Sequence, residues 1–142
     1  MAETMKSVLV VAGAVSDRDG VGVAMQLWDS DGHCLRQWRR RMLVDSSEHG
    51  ALIGILEGME SAREIGAPQV VVYCPSCDLV DRLNKRVPTA WNEPIARAWV
   101  RARALSHTFV CCSFAPLESG QSREIMRLAA TVGKPVQLPK AA

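Results

Sequence analysis

Residues 45–67, DSSEHGALIGILEGMESAREIGA, decide how the rest of this chain is read. Leu52, Ile55, Leu56, Met59 and Ala62 recur at three- and four-residue steps, which places them on one face of a helix. Asp45 is the expected N-cap, and Glu48 follows three residues later at the spacing of a capping box. Gly66 and then Pro68 end the helix, because glycine accepts the left-handed conformation and proline cannot continue the ladder. Upstream lies a strand-rich segment; downstream, residues 70–73 form the most apolar run of the chain. A helix between two such segments covers a sheet. Its first turn carries Glu48, and the functional question turns on that acid.

Working outward, residues 7–15 are a valine-rich run that reads as a strand buried on both faces. A polar turn at 16–20 leads to a second strand over 21–28. DSDG at 29–32 is turn chemistry, so this strand and the next, 33–44, form a hairpin. Three strands with short connections predict an antiparallel meander. Beyond the helix, 69–73 is a fourth strand, 78–83 a short helix and 84–94 a loop. Pro94 suits the start of a helix capped by Asn92 and running to 105, with Ile95, Ala98, Trp99, Ala102 and Leu105 inward. A fifth strand is predicted over 108–114. A last helix over 120–132 turns Ile125, Leu128, Ala129 and Val132 inward. Residues 133–142 read as a loose tail, so one domain with a core of about 7–132 accounts for the chain.

A length of 142 residues suits one domain that buries roughly 68–70% of its unfolded surface. The net charge of +2 is too small to argue for nucleic acid by itself. No apolar run approaches the ~20 residues of a membrane span, so no membrane partner is expected. The opening residues MAETMKSVLVVAGAV read as a strand rather than a signal peptide. Five cysteines, two of them adjacent at 111 and 112, make no disulfide framework, and a cytoplasmic location is expected.

Three strands, a helix, a strand, a helical segment, a strand and a final helix is an order that resembles the ribonuclease H-like family. GVGVAMQLWDSDG is similar to the second strand and hairpin of its smaller members, and SSEHGALIGILEGMESAREIGA to their first helix. SCDLVDRLN resembles the segment after their fourth strand, and SREIMRLAA their final helix. The resemblance spans roughly residues 7–132. It implies an α/β fold: a five-stranded mixed sheet, three antiparallel strands then two parallel, with helices on both faces.

The resemblance also implies a site. Active members hold two divalent metals with four carboxylates, and such ions, ~4 Å apart, activate a water and stabilise the leaving oxygen. Only Glu48 matches. The first-strand Asp-Gly-Ser of the family reads Ala12-Gly13-Ala14, its Asp-Ser after the fourth strand reads Pro75-Ser76, and Met126 stands where the final helix carries Asp. None of these three replacements binds Mg²⁺. The expectation is a domain without nuclease activity and without a cofactor, Mg²⁺ entering only if a site were rebuilt from Glu48, Asp78 and Glu124. Asp17 and Asp19 lie too far along the first turn to substitute. Read from the residues alone, Glu48 is a first-turn acid complementing the helix dipole.

Two other constellations carry chemistry. Cys74-Pro75-Ser76-Cys77 lies between a strand and a helix, where a helix N-terminus lowers a thiol pKa; redox or zinc chemistry stands beside the plainer reading of structural cysteines. With strands four and five as neighbours, these thiols are expected near Cys111 or Cys112. The run Arg36-Gln37-Trp38-Arg39-Arg40-Arg41 on the third strand, with Arg97, Arg101 and Arg103 on the later helix and Lys85 and Arg86 before it, suits phosphate contacts and base stacking. Alternation puts Trp38 and Arg40 on one face, Arg39 and Arg41 on the other. The same arginines would equally guard a sheet edge, and Trp28 and Trp38 offer apolar area for a homodimer. The leading expectation is therefore a degenerate ribonuclease H-like binding module. RNA, DNA or their hybrid is its first candidate ligand, through Arg36, Trp38, Arg39, Arg41, Arg97 and Arg101; a protein-interaction or homo-oligomerisation module is the alternative.

Overall fold

The computed structural model describes residues 7–84 and 93–131. The expectations for Lys85, Arg86, Asn92, Val132 and the tail lie outside the described residues. Strands β1 (Val8–Asp17), β2 (Gly20–Asp29) and β3 (Cys34–Met42) precede helix α1 (Ser47–Glu64). Strand β4 (Gln69–Cys74), helices α2 (Cys77–Asn84) and α3 (Glu93–Ser106), strand β5 (Cys111–Pro116) and helix α4 (Ser119–Thr131) follow. The sheet order is β3-β2-β1-β4-β5. β1 to β3 pair antiparallel, while β4 runs parallel to β1 and β5 parallel to β4. This is the five-stranded mixed α/β sheet that the element order implies.

β1 lies at the centre, and its valines feed two cores. Val8, Val10, Ala12 and Ala14 face α1 together with Val23, Met25 and Leu27 of β2. Val11 and Ala24 face Ile125 and Ala129 of α4 on the opposite side. The indole Nε1 of Trp99 on α3 donates to the Arg82 carbonyl (2.6 Å), and Arg103 donates to that of Leu83 (2.8 Å). Two side chains of α3 thus satisfy terminal carbonyls of α2. α1 sits close to the sheet because Gly50, Gly54 and Gly58, four residues apart, form the stripe facing β1 and β2. A Cβ on Gly50 would come 2.8 Å from Val21 Cγ1, and one on Gly58 would collide with Val10.

Several boundaries differ from the sequence expectation, each for a local reason. The cap of α1 is Ser46, not Asp45: Ser46 is extended (φ −152°, ψ 158°) and its Oγ accepts from the His49 N–H at 3.1 Å. Glu48 is then two residues past the cap, and the capping box predicted for it does not form. The C-terminus follows the glycine signal, with Gly66 at φ +75° and its N–H bonded to the Arg63 carbonyl, and Ala67 N–H to that of Ala62. β3 starts at Cys34 because His33 belongs to the turn, its N–H bonded to Asp29 Oδ1 (2.9 Å). The β1–β2 ladder reaches Asp17 opposite Gly20, so the turn is only Arg18 and Asp19. β5 begins at Cys111 rather than 108, since His107 and Thr108 close the end of α3 and Val110 and Cys111 both donate to the Pro68 carbonyl.

Candidate functional site

At the C-terminal ends of β1 and β4, the N-termini of α1 and α2 converge on a pocket of about 260 Å³. Its wall carries Ser47 and Glu48 from α1, Pro75, Ser76, Asp78 and Leu79 around the start of α2, Ala14 from β1 and Met126 from α4. Ser76 caps α2 by accepting from the Leu79 N–H (3.1 Å). The β1 residue that reaches this wall is Ala14. Ala12, two residues earlier on the same face, is fully buried beneath Gly54 and does not line it. Met126 lies beside Gly13, whose Cα leaves the space that its sulfur and the Ile125 side chain fill.

The carboxylates nearby are few and mostly committed. Asp78 pairs with Arg82 one helical turn on (3.1 Å). Glu124 points into a different pocket, on the far side of α4 beside Trp28 and Gln26, and pairs with Arg127 (2.9 Å). Asp17 is gripped by Arg41. Glu48 differs from these. It is half-buried, forms no ion pair among the described residues, and its Oε1 is shielded from solvent without a hydrogen-bond partner. A site rebuilt from Glu48, Asp78 and Glu124 is therefore not assembled. Among the described residues, three metal-ligating side chains converge only at Asp29, Asp31 and His33 in the β2–β3 turn. There Asp29 Oδ1 accepts the Asp31 and His33 N–H groups and Oδ2 meets His33 Nδ1 (3.1 Å), which makes the cluster a turn fastening. Hydrogen bonding from the His33 backbone accordingly lowers the Asp29 pKa. One free carboxylate between alanine, proline and methionine does not supply the several oxygens that two divalent ions require.

The cysteines separate rather than converge. All five are free thiols. Cys74 pairs in the ladder with Pro116, whereas Cys112 pairs with Val70 and Cys111 with Gln69, too far along the strands for a disulfide. Burial pushes the Cys74 thiol up to about 12, opposite to the low value a redox thiol needs. Cys77 is exposed at the first position of α2. Cys112 is near enough to Cys74 to act on its charge, as expected, but four ladder positions separate them.

Among the described residues, the basic side chains form no single surface. Arg36, Trp38 and Arg40 lie on the α1 side of β3, Arg39 and Arg41 on the α4 side, as strand alternation predicts. Arg36 binds Glu64 (2.8 Å) and Arg40 binds Glu57 (3.2 Å), while Arg101 of α3 reaches Glu60 (2.9 Å). Three acids on the outer face of α1 thus tie down cations on both flanks. Their spacing, three and then four residues, was visible in the sequence as one stripe; their partners were not. Arg40 also stacks over Trp38 at 4.1 Å, and the half-buried indole packs into the α1-side core. Arg39 donates to the Thr131 hydroxyl (2.6 Å), a neutral partner. Arg97 is exposed on the wall of a groove between α1 and α3.

A family profile described as reverse transcriptase-like matches residues 10–133. The chain belongs to the reverse transcriptase-like, RNase H-like family. The same fold appears in the N-terminal RNase H domain of a Mycobacterium tuberculosis protein, solved fused to maltose-binding protein (19% identity, 89% of this chain and 93% of that one, TM-score 0.79). RNase H1 from the halophilic archaeon Halobacterium salinarum is similar (17% identity, 89% and 96%, TM-score 0.77). So is an RNase H1 isolated from compost and solved with an RNA/DNA hybrid (12% identity, 86% and 91%, TM-score 0.68). A comparison with curated proteins gives no match.

Proposed function

We propose that this chain is an RNase H-like domain that does not hydrolyse nucleic acid and serves as a binding module, with nucleic acid as its first ligand. One observation carries the loss of chemistry: of the described side chains lining the pocket between α1 and α2, only Glu48 offers a carboxylate without an ion pair among the described residues. Two-metal hydrolysis needs anions converging from several elements; by resemblance Ala12, Pro75 and Met126 stand where the family carries them, and on β1 it is Ala14 that reaches the pocket. The ligand reading is supported by a relative of the same fold solved with an RNA/DNA hybrid, and by Arg39, which among the described residues bonds to an uncharged hydroxyl and to no acid. A second reading, a protein-interaction or homodimer module, is favoured by the ion pairs of Arg36, Arg40, Arg41 and Arg101 and by the outer edge of β3, which pairs with no further strand among the described residues.

The deciding measurement is cleavage of a labelled RNA/DNA hybrid in Mg²⁺ and then Mn²⁺. No cleavage above buffer is expected. Turnover that disappears in Glu48→Gln would refute the non-catalytic reading, because a contaminating nuclease would not respond to that change.

A further inference from the structure

The geometry points to a second binding site: the slot between α4 and the β2–β3 turn takes a flat, uncharged heteroaromatic ring, the class to which nucleobases belong. Among the described residues, the slot and the α1–α2 pocket share no lining side chain. Only the source of the ring, a free molecule or an unpaired base in a strand, rests on the nucleic-acid reading above.

Leu9 faces Trp28 and Val11 faces Gln26 across the β1–β2 ladder, so two adjacent cross-strand pairs floor the slot on the α4 side of the sheet. α4 crosses β1 at Gly13, where Ile125 and Met126 fill the space a Cβ would need, and ends beside Arg39 of β3. The Leu9–Trp28 end of the ladder is left open to the slot. Gly120 of α4 and Gly32 of the turn also line it, and a Cβ on either would meet nothing within 4 Å. The cavity measures about 380 Å³. That is the small end of the roughly 300–1,000 Å³ of ligand pockets and suits one or two fused rings.

Trp28 is set in place before a ligand arrives. Its Nε1 donates to Gln26 Oε1 (3.2 Å), and Gln26 Nε2 donates to Gln37 Oε1 (2.8 Å). Gln26 is only 5% exposed, and a buried amide keeps its bonds because losing them costs its desolvation. The half-buried indole is thereby held in one orientation, so a ring that stacks on it does not have to order it. The rim selects the charge. Asp29 and Glu124 place carboxylates there, which repel an anionic head and accept from ring N–H or amino groups. Asp29 is held within the turn, whereas Glu124 sits in a solvent-exposed pair with Arg127 that a ring N–H can replace.

The test follows the Trp28 indole N–H and the Leu9 and Val11 methyls by NMR in the full chain, titrated with adenosine. Cyclohexanol is the non-planar control and benzoate the anionic one. Saturable shifts with adenosine alone are expected, at a dissociation constant on the order of 1–10 mM for so small a ligand. Trp28→Leu should weaken binding about tenfold or more, while Trp28→Phe, which keeps a ring, should stay within about threefold. Gly120→Leu adds a side chain at the slot wall and leaves Trp28 in place; it too should weaken binding about tenfold in a folded protein, so the inference does not depend on one variant. A single-stranded oligodeoxyadenylate that shifts the same signals and binds more tightly than adenosine assigns the ring to a base within a strand. Equal or weaker binding by the strand assigns it to a free molecule. Absence of saturable shifts with adenosine, a matching response to cyclohexanol or benzoate, or unchanged affinity in both Trp28→Leu and Gly120→Leu overturns the inference. Strand binding that shifts signals elsewhere and none of these three removes the slot and keeps the nucleic-acid reading. Adenosine in the slot without strand binding at any surface keeps the slot and removes that reading.

Discussion

Arg41 on β3 grips Asp17 at the end of β1 with two parallel hydrogen bonds, 2.8 Å from Nη1 to Oδ1 and 3.0 Å from Nη2 to Oδ2. The two strands are not neighbours, so the pair staples across β2 and fixes the β1–β2 turn against the sheet edge. It also removes a guanidinium from the set available to phosphate.

The staple makes a prediction about acid stability. Hydrogen bonding from Arg41 is the largest cause holding the Asp17 carboxyl at about 2 rather than 3.8. A depressed pKa contributes stability that is complete above the unfolded value and is lost as pH falls from there through the folded one. Unfolding midpoints of the wild type should therefore drop more steeply than those of Asp17→Asn between about pH 4 and 2, and run parallel above about pH 5. Parallel curves throughout would show that the pair contributes nothing, as many exposed ion pairs do.

The fold was legible because its signals are local and redundant: a valine run, a DSDG turn, and apolar positions at helical spacing. The boundaries that slipped were those set by another segment. Asp45 and Ser46 are both good caps one residue apart, and only the extended backbone at Ser46 selects between them. β5 starts late because the Pro68 carbonyl, more than forty positions earlier, accepts from Val110 and Cys111. At the candidate site, the missing acids at Pro75 and Met126 could be read by resemblance. That Ala14 and not Ala12 reaches the pocket depends on how deeply α1 sits on the sheet. The arginines are the clearest case: alternation gave their faces, while their neutralisation by Glu57, Glu60 and Glu64 depends on the packing of β3 and α3 on either side of α1.

The close seating of α1 predicts opposite effects for two glycine substitutions. Gly58→Ala forces a methyl against Val10, an overpacking that costs about 1–3 kcal/mol, offset by ~0.5–1 from better helix propensity. Gly120 lies in α4 with nothing near where its Cβ would go, so Gly120→Ala should gain roughly 0.4–1 kcal/mol by restricting the unfolded chain. Denaturant midpoints report both. A Gly58→Ala protein as stable as the wild type would mean that α1 can lift without cost.

The thiols should divide by burial rather than by motif. Cys34, Cys77 and Cys111 are exposed, and a thiol reagent at about pH 8 should label them in the folded protein. Cys74, pushed up to about 12, and Cys112, pushed up to about 11 chiefly by burial, should label only on unfolding. Cys74→Ser should destabilise by about 1–3 kcal/mol, since it leaves a hydroxyl in an apolar setting. Rapid labelling of Cys74, or stoichiometric zinc by elemental analysis, would restore the redox or metal reading of the CPSC segment.

The arginine pairs make the nucleic-acid reading quantitative. Each phosphate contact releases counterions, so log affinity for a duplex falls against log salt with a slope of about −0.9 per contact. Were all of Arg36, Arg39, Arg41, Arg97 and Arg101 to contact phosphate, the slope would be steep. With Arg36, Arg41 and Arg101 bound to Glu64, Asp17 and Glu60, a shallow slope is expected instead. Arg39→Ala should flatten it by about one contact, because its only partner among the described residues is the Thr131 hydroxyl. Glu64→Gln, which releases Arg36, should steepen it by up to about one contact while changing stability little, as exposed pairs are weak. A duplex, hybrid and single strand that all fail to bind at ~50 mM salt, alongside a stable dimer by light scattering, would move the homodimer to first place. In that case removing Arg39 and Arg41 together should promote association through β3, since the edge would lose the charges that keep other strands away.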